Sequence, residues 1–229
     1  MIEYINAGNI DDRVLHRTSD LLQRGGLVGL PTDTSWVIAC SLNSKGGIKR
    51  LRRLSAERDE RHFTLICGDI SQIGDYCSMD NTRFRLIKRL TPGPYVFILH
   101  SLLGTEKVLD IRRREVGVRI PDHPVALELV RTLGSPLYSI TAKKTMIHGN
   151  EGDSLFFEDE QGETENSNLL PPIPEEVLFE GGWELEDIDG LDLVLDPGEE
   201  RPRIFSTILD LGSDEVTLVR PGAGPWPEG

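Results

Sequence analysis

The chain has 229 residues, of which 38% are hydrophobic and 28% are charged, and its formal net charge is −13. That length can bury a sizeable core, as one large domain or as one domain with a small lobe. No apolar run approaches the roughly 20 residues that a transmembrane helix needs. The N-terminus, Met1-Ile2-Glu3-Tyr4, does not resemble a signal peptide. We therefore expect a cytoplasmic α/β protein.

The charge is divided unevenly along the chain. Residues 1–147 contain 22 Lys and Arg against 16 Asp and Glu, a net charge of +6, whereas residues 148–229 contain 3 against 22, a net charge of −19. The overall negative charge argues against nucleic acid as a partner, but the first part of the chain has the charge of an anion binder.

Cysteine and histidine usage argues against disulfide and metal sites. The three cysteines, Cys40, Cys67 and Cys77, form no C-x-x-C pair, and Cys40 and Cys67 lie in apolar runs. We expect all three to be buried, reduced thiols. The five histidines show no metal-ligand spacing, so no metal site is predicted from them.

Apolar periodicity alternates between helix and strand along most of the chain. Val14, Leu15, Leu21 and Leu22 share one face of a first helix, which Gly25-Gly26 ends. The pattern predicts helices over 12–24, 43–54, 81–90 and 124–133, and strands over 27–30, 36–42, 63–67, 95–99, 116–120, 137–141, 191–195, 204–210 and 216–219. Some connections are too tight for a parallel crossover, which indicates a mixed parallel and antiparallel sheet.

One acidic stretch interrupts this pattern. Residues 149–172 are poor in apolar residues apart from Leu155-Phe156-Phe157 and end at Pro171-Pro172. We interpret them as a surface loop or partly disordered insertion within a single domain that spans 1–229.

Four segments combine polar residues with predicted strand or helix ends. Pro31-Thr32-Asp33-Thr34 is either a strand-end turn stabilised by Asp33 or the wall of a ligand site. Arg119 lies between apolar neighbours in a strand, so it is either a structural ion pair or a carboxylate clamp. The arginines of Lys49-Arg50-Leu51-Arg52-Arg53 form a solvated helix face or turn partly inward. Ser206-Thr207 and Arg220 suit phosphate contacts, but a hairpin end would look the same.

The order of these segments is more specific than any one of them. The series GGLVGLPTDT, a basic helix, TPGPYVFIL, VGVRIPDHP, LYSITA, FSTILDL and LVRPGAG resembles the YrdC/YciO family, which includes threonylcarbamoyl-AMP synthases. The resemblance covers about residues 8–147 and 173–224. The segments RHFTLIC, NTRFRLIKRLTPG and YVFIL are most similar to the YciO-like branch.

The resemblance implies a fold and a reaction. The fold is an open, twisted, mixed parallel/antiparallel α/β sheet flanked by helices around a large basic cavity. The reaction joins ATP, L-threonine and bicarbonate, with Mg²⁺, into threonylcarbamoyl-AMP and pyrophosphate, for a modification of tRNA. By this likeness Thr32, Thr34 and Arg119 would bind threonine, with Arg119 on its carboxylate. Nucleotide phosphates would be bound by the residues that match the other motifs: Arg50, Arg52, Thr141, Lys143, Ser206 and Arg220.

Three positions depart from the family pattern. Trp36 stands in the segment where Tyr-Gly-Leu is usual, which predicts bulk at the entrance of the cavity. Arg50-x-Arg52 replaces a Lys-x-Arg pair, and a guanidinium prefers planar, bidentate contacts. Lys143 replaces an asparagine, and an ammonium group cannot ligate Mg²⁺.

Two functions of different class follow. One is a nucleotidyltransferase that resembles threonylcarbamoyl-AMP synthase, with ATP as a substrate and no catalytic His or Cys evident. The other is a paralogue without synthase activity that binds a nucleotide, tRNA or double-stranded RNA in the basic cavity, through phosphate contacts.

Overall fold

The structure is a computed structural model that describes residues 1–55, 63–102, 115–147, 174–213 and 215–226. Its helices are α1 (Asp12–Gln23), α2 (Lys45–Ser55), α3 (Ile70–Tyr76), α4 (Asn81–Leu90) and α5 (Pro124–Leu133). Its strands are β1 (Ile2–Tyr4), β2 (Val28–Leu30), β3 (Val37–Ser41), β4 (Thr64–Ile66), β5 (Tyr95–His100), β6 (Glu115–Arg119), β7 (Leu137–Thr141), β8 (Leu193–Asp196), β9 (Thr207–Asp210) and β10 (Thr217–Arg220).

Local signals in the sequence set the helix ends. The Asp11 and Asp80 side chains cap α1 and α4 by accepting hydrogen bonds from the amides of Arg13 and Arg83, each at 2.8 Å. Ser44 caps α2 in the same way, through the Gly47 amide at 3.2 Å. Helix α5 ends at Gly134, whose φ of +71° is a left-handed conformation that glycine adopts without strain.

Within the described residues the strands form one mixed sheet in the order β1-β8-β2-β3-β7-β4-β6-β5-β9-β10. The pairs β2–β3, β3–β7 and β5–β6 are antiparallel, whereas β2–β8, β4–β6 and β5–β9 are parallel. The predicted mixed sheet flanked by helices is therefore confirmed.

The two faces of the sheet carry different helices. Because successive side chains of a strand point to opposite faces, β3 contributes Val37 and Ala39 to one core cluster and Ile38 and Cys40 to another. The first cluster packs against α1 and α5, and the second packs against α2, α3 and α4. We call these sides the α1/α5 face and the α2–α4 face.

Part of the α1/α5 face lies outside the cluster that α1 and α5 cover. Across β7, β4 and β6, the register partners Ser139, Thr64 and Gly117 form a row of small side chains. Beyond that row Val96, Ile208 and Val219 form a separate small cluster, to which no described helix contributes. On this side of the sheet, the strands next to the C-terminal end of β6 therefore carry small side chains. We call this region the open sheet floor.

Most predicted elements are confirmed, and the differences are local. Strand β1 and helix α3 were not predicted, because β1 is a partly exposed edge strand without an apolar run and the seven residues of α3 are too few to show a clear period. Strand β9 begins at Thr207 rather than at residue 204, and β8 begins at Leu193 rather than at residue 191. The predicted insertion at 149–172 lies outside the described residues.

The three cysteines are buried free thiols, as predicted. Burial raises the pKa of Cys40 and that of Cys77 to about 12, and raises that of Cys67 as well. Among the described residues no helix has the length and apolarity of a membrane span. The same part of the chain contains no group of three or more His, Cys, Asp or Glu side chains that could hold a metal ion.

Candidate functional site

The Pro31–Trp36 loop connects β2 to β3 where Leu30 and Val37 are directly paired. Thr32 closes the loop on itself: its hydroxyl donates to the Ser35 carbonyl at 2.6 Å and accepts from the amides of Thr34 and Ser35 at 3.2 and 3.3 Å. The loop is thus a strand-end turn held by a threonine hydroxyl, and Asp33 is left to bond elsewhere.

Thr34 lies where the loop meets two distant segments. Its hydroxyl oxygen is 3.3 Å from both terminal nitrogens of Arg119, at the end of β6, and 3.3 Å from the Ser206 hydroxyl, just before β9. It is also 3.2 Å from the Thr32 hydroxyl. Of the residues predicted to form a site, the structure brings Thr32, Thr34, Arg119 and Ser206 into one connected group.

Arg119 forms a buried ion pair with Asp33. Its Nη2 lies 2.5 Å from Oδ1 of Asp33, and only 5% of the arginine side chain and 12% of the aspartate side chain are exposed. Burial lowers the pKa of Arg119, and the carboxylate of Asp33 opposes this lowering. Of the two interpretations left open by the sequence, the structure shows the ion pair. The carboxylate that the guanidinium binds is that of Asp33, a residue of the same chain.

His123 is a further buried group near this pair that the sequence did not single out. It precedes α5, is 4% exposed, and its Nδ1 has no hydrogen-bond partner. Burial, and next the charge of Arg201, lower its pKa to about 4, while Asp33 and Glu199 act in the opposite direction. The imidazole is therefore neutral at pH 7. A lone histidine in Pro-Asp-His-Pro carries no spacing signal that could have revealed this.

Trp36 does not narrow the open part of the sheet, so the predicted obstruction is wrong. The indole is fully buried, it belongs to the cluster on the α2–α4 face, and its Nε1 donates to the Glu180 carbonyl at 3.1 Å. Gly182 lies against it so closely that an added Cβ would be 2.7 Å from the ring. Because side chains alternate along the strand, Trp36 points away from the face that carries Arg119.

Arg220, at the end of β10, contacts the segment that carries Ser206. Arg220 donates to the Ser206 carbonyl at 3.1 Å, and its guanidinium lies 4.6 Å from the centre of the Phe205 ring. Gly224 packs next to them, since its carbonyl accepts from the Thr207 hydroxyl at 2.5 Å. Arg220 therefore supports the backbone that carries the Ser206 hydroxyl.

Thr141 and Lys143 lie at the C-terminal end of β7, beside the same loop. Thr141 pairs with Val37, and the Ala142 amide donates to the Trp36 carbonyl at 2.9 Å. Lys143 forms a bridge with Leu178. The ammonium group of Lys143 cannot ligate Mg²⁺, and the Thr141 hydroxyl is the one oxygen that these two side chains offer to a metal.

Arg50 lies apart from this group. Its guanidinium donates to the carbonyls of Gly25 and Gly190 at 2.9 and 3.0 Å and pairs with Asp192 at 2.9 Å. These partners precede β2 and β8, whereas the Pro31–Trp36 loop follows β2. Arg52 is half-buried on the same helix, α2, which packs on the α2–α4 face. A phosphate contact by either arginine stays a prediction.

The match to known proteins agrees with this arrangement. The family model for Sua5, YciO and YrdC proteins, whose description reads "Telomere recombination", matches residues 20–149. The Escherichia coli (strain K12) protein named "Uncharacterized protein YciO" is 31% identical over 225 residues, which cover 96% of this chain and 95% of that protein. The chain belongs to the Sua5/YciO/YrdC family.

Solved structures of the family share the fold. The crystal structure of E. coli YciO superposes with a TM-score of 0.74 at 29% identity, covering 98% of this chain and 97% of that one. The structure of P. abyssi Sua5 complexed with L-threonine has a TM-score of 0.75 at 20% identity and covers 97% of this chain and 57% of that one. At that identity the second likeness concerns the fold alone.

A named enzyme is also similar to this chain. The Mus musculus threonylcarbamoyl-AMP synthase is 27% identical over 202 residues, which cover 88% of this chain and 64% of that protein.

Proposed function

We propose that this family member is a nucleotidyltransferase that joins L-threonine, bicarbonate and ATP into threonylcarbamoyl-AMP, releasing pyrophosphate and water. The product would serve a tRNA modification. The observation that supports this most is the buried Thr34–Arg119–Ser206 group, which combines a permanent cation with hydroxyls at the edge of an open sheet floor. The likeness to the synthase and to the threonine-bound Sua5 structure supports the same substrates.

The chemistry suits such a site. Transfer of an adenylyl group needs charge neutralisation on phosphates and an oriented nucleophile more than it needs proton transfer by the protein. The group supplies hydroxyl donors beside a guanidinium paired with Asp33, and the neutral, buried His123 is outside it. We assign Ser206 and Thr141 to the nucleotide side and place the threonine near Asp33 and Arg119. Arg50 is left out, because its guanidinium is committed to Asp192 and two carbonyls.

A second function, nucleotide or RNA binding without synthesis, is favoured by one observation. Lys143 stands near Thr141 where a metal ligand would help to handle a triphosphate, and an ammonium group neutralises phosphate without a metal. Such a protein would bind AMP-type ligands or tRNA and release no pyrophosphate.

The test is to incubate the purified protein with ATP, L-threonine, bicarbonate and Mg²⁺, and to measure pyrophosphate and the adenylate product by mass spectrometry. We expect both products to appear together and to depend on each substrate. Arg131→Met, which changes an exposed arginine of α5 paired with Glu128, lies outside the proposed site and should keep wild-type turnover. Binding of AMP without product above a heat-inactivated control would select the second function.

A further inference from the structure

Helix α4 presents an exposed face that carries three cations and one aromatic ring. Phe84 is 39% exposed, and Arg85, Lys88 and Arg89 are exposed beside it. Because residues three and four apart on a helix are neighbours, these side chains form one surface, which we call the α4 cationic face. The helix contains no acidic residue, and its other cation, Arg83, turns to the carbonyls that follow β9.

The α4 cationic face has no acidic partner within the described residues. The ion pairs of that part of the chain include exposed cations of other helices, such as Arg131 of α5, but none of Arg85, Lys88 and Arg89. Like charges three and four residues apart on a helix destabilise it. An anionic partner relieves that repulsion, and the exposed ring of Phe84 offers it an apolar contact.

The segment before β8 presents a surface of the opposite charge. Gly182–Asp187 forms a short 3-10 helix in which Trp183 is 47% exposed and Glu186 and Asp187 are exposed. Side chains three apart eclipse in such a helix, so Trp183 and Glu186 lie on one side of it. The indole is held by packing on Gly181, where an added Cβ would be 2.2 Å from the ring. Neither carboxylate belongs to an ion pair within the described residues, and we call this surface the Trp183 acidic patch.

The two surfaces are complementary, but they lie apart on one chain. The 3-10 helix of the Trp183 acidic patch packs against β1, β2 and β8, at one end of the strand order. Arg83 ties α4 to the turn after β9, near the other end. Seven strand spacings, of about 4.8 Å each, separate β8 from β9 along the sheet. Each surface is therefore open to another molecule.

We infer that this protein self-associates head to tail, with the Trp183 acidic patch of one copy on the α4 cationic face of the next. Trp183 and Phe84 supply an aromatic centre, and the charged side chains around them supply a polar rim, which is the usual arrangement of a protein interface. Because the two surfaces differ, the contact is heterologous. Each added copy leaves one unused surface of either kind, so the contact builds a ring or a chain of copies.

Overall charge favours a second copy over a nucleic acid on the α4 cationic face. The chain carries a net charge of −13, which repels a long polyanion. A protein contact needs complementary charge only within the Debye length, about 8 Å at physiological salt. Three exposed cations also neutralise fewer phosphates than the roughly 6–10 that a DNA-binding protein contacts.

The experiment is sedimentation velocity of the full chain over a range of concentrations, with charge-reversed variants. Arg85→Glu/Lys88→Glu reverses part of the α4 cationic face, and Glu186→Lys/Asp187→Lys reverses the Trp183 acidic patch. We expect the mass of the wild type to rise with concentration, and either variant alone to associate at least about 100-fold more weakly. An equimolar mixture of the two should recover association to within about tenfold of wild type, because each reversed surface then meets its opposite.

Two further variants separate the contact from general charge effects. Arg13→Glu/Arg17→Glu makes the same change of net charge as the α4 variant, on exposed residues of α1, and should associate as the wild type does. Phe84→Ala changes no charge and should weaken association at least about tenfold. Raising the salt from about 0.15 M to about 1 M shortens the Debye length from about 8 Å to about 3 Å and should weaken association as well.

Several results would overturn the inference: a wild type that stays monomeric at every concentration, reversed variants that associate as the wild type does, a mixture no stronger than either variant alone, or association unaffected by salt. A monomeric wild type whose binding of fluorescent tRNA is lost in Arg85→Glu/Lys88→Glu would assign the α4 cationic face to nucleic acid instead. Urea unfolding shows whether each variant is folded. None of these readouts requires turnover, so their failure leaves the synthase proposal unaffected.

Discussion

Removal of Asp33 should leave one buried positive charge without a partner. Asp33→Ala deletes the carboxylate that pairs with Arg119 at 2.5 Å, while the guanidinium stays beside Thr34 on a side chain that is only 5% exposed. Removing one member of a buried ion pair typically costs about 3–5 kcal/mol. For a chain of this size, where 1 kcal/mol shifts the melting temperature by roughly 2–4 °C, we expect a decrease of roughly 6–20 °C.

The assay is urea and thermal unfolding followed by tryptophan fluorescence, to which Trp36, fully buried in the folded protein, contributes. The matched control is Glu128→Ala, which breaks the exposed Arg131–Glu128 pair and should cost at most about 1 kcal/mol. The double variant Asp33→Ala/Arg119→Met removes both charges and should recover part of the loss. If Asp33→Ala costs no more than the control, or if the double variant is less stable than the single one, the pair is not a buried salt bridge.

Three other predictions concern stability and reactivity. Since burial lowers the pKa of His123 to about 4 in the folded chain, against 6.5 when unfolded, the unfolded state binds the extra proton between these values. Stability should therefore fall as the pH is lowered from about 6.5 to about 4, and the urea midpoint of His123→Gln should fall less steeply; equal slopes would contradict this. Gly182→Ala would bring a Cβ within 2.7 Å of Asp196 and should cost roughly 1–3 kcal/mol in urea unfolding, whereas Gly46→Ala, in open space on α2, should cost nothing; similar midpoints would be a failure. The three cysteines, buried and with raised pKa values, should not react with a thiol reagent at pH 8 until the protein is unfolded; stoichiometric labelling of the native protein would refute their burial.

The sequence predicted the helices and strands better than it predicted the contacts between them. Helix α5 was predicted with correct ends because Pro124 and Gly134 are local signals, and the alternation of β3 is visible without any partner. The side to which Trp36 points depends on which face of the sheet each helix covers, and this is a property of the assembled layers. The sequence showed that Trp36 departs from the family pattern, but it did not show on which face of the sheet the indole lies.

The same limit applies to the site. Pro31-Thr32-Asp33-Thr34, Arg119 and Ser206 were recognised as an ordered set, yet whether Arg119 would hold a ligand or a residue of its own chain depended on a contact 86 positions apart in sequence. Arg50 shows the converse case: its place in a basic run suggested phosphate, but Gly190 and Asp192 lie far along the chain and their proximity left no signal in the helix itself. Periodicity reports local geometry and is silent on pairing between distant segments.

The bridge between Lys143 and Leu178 has a consequence for how this family member can change. The two residues hold together the points where the chain leaves β7 and returns toward β8. The entropy of closing a loop grows only with the logarithm of its length, and doubling that length costs roughly 0.6 kcal/mol. A change in the length of the connection between these two positions should therefore cost the sheet little.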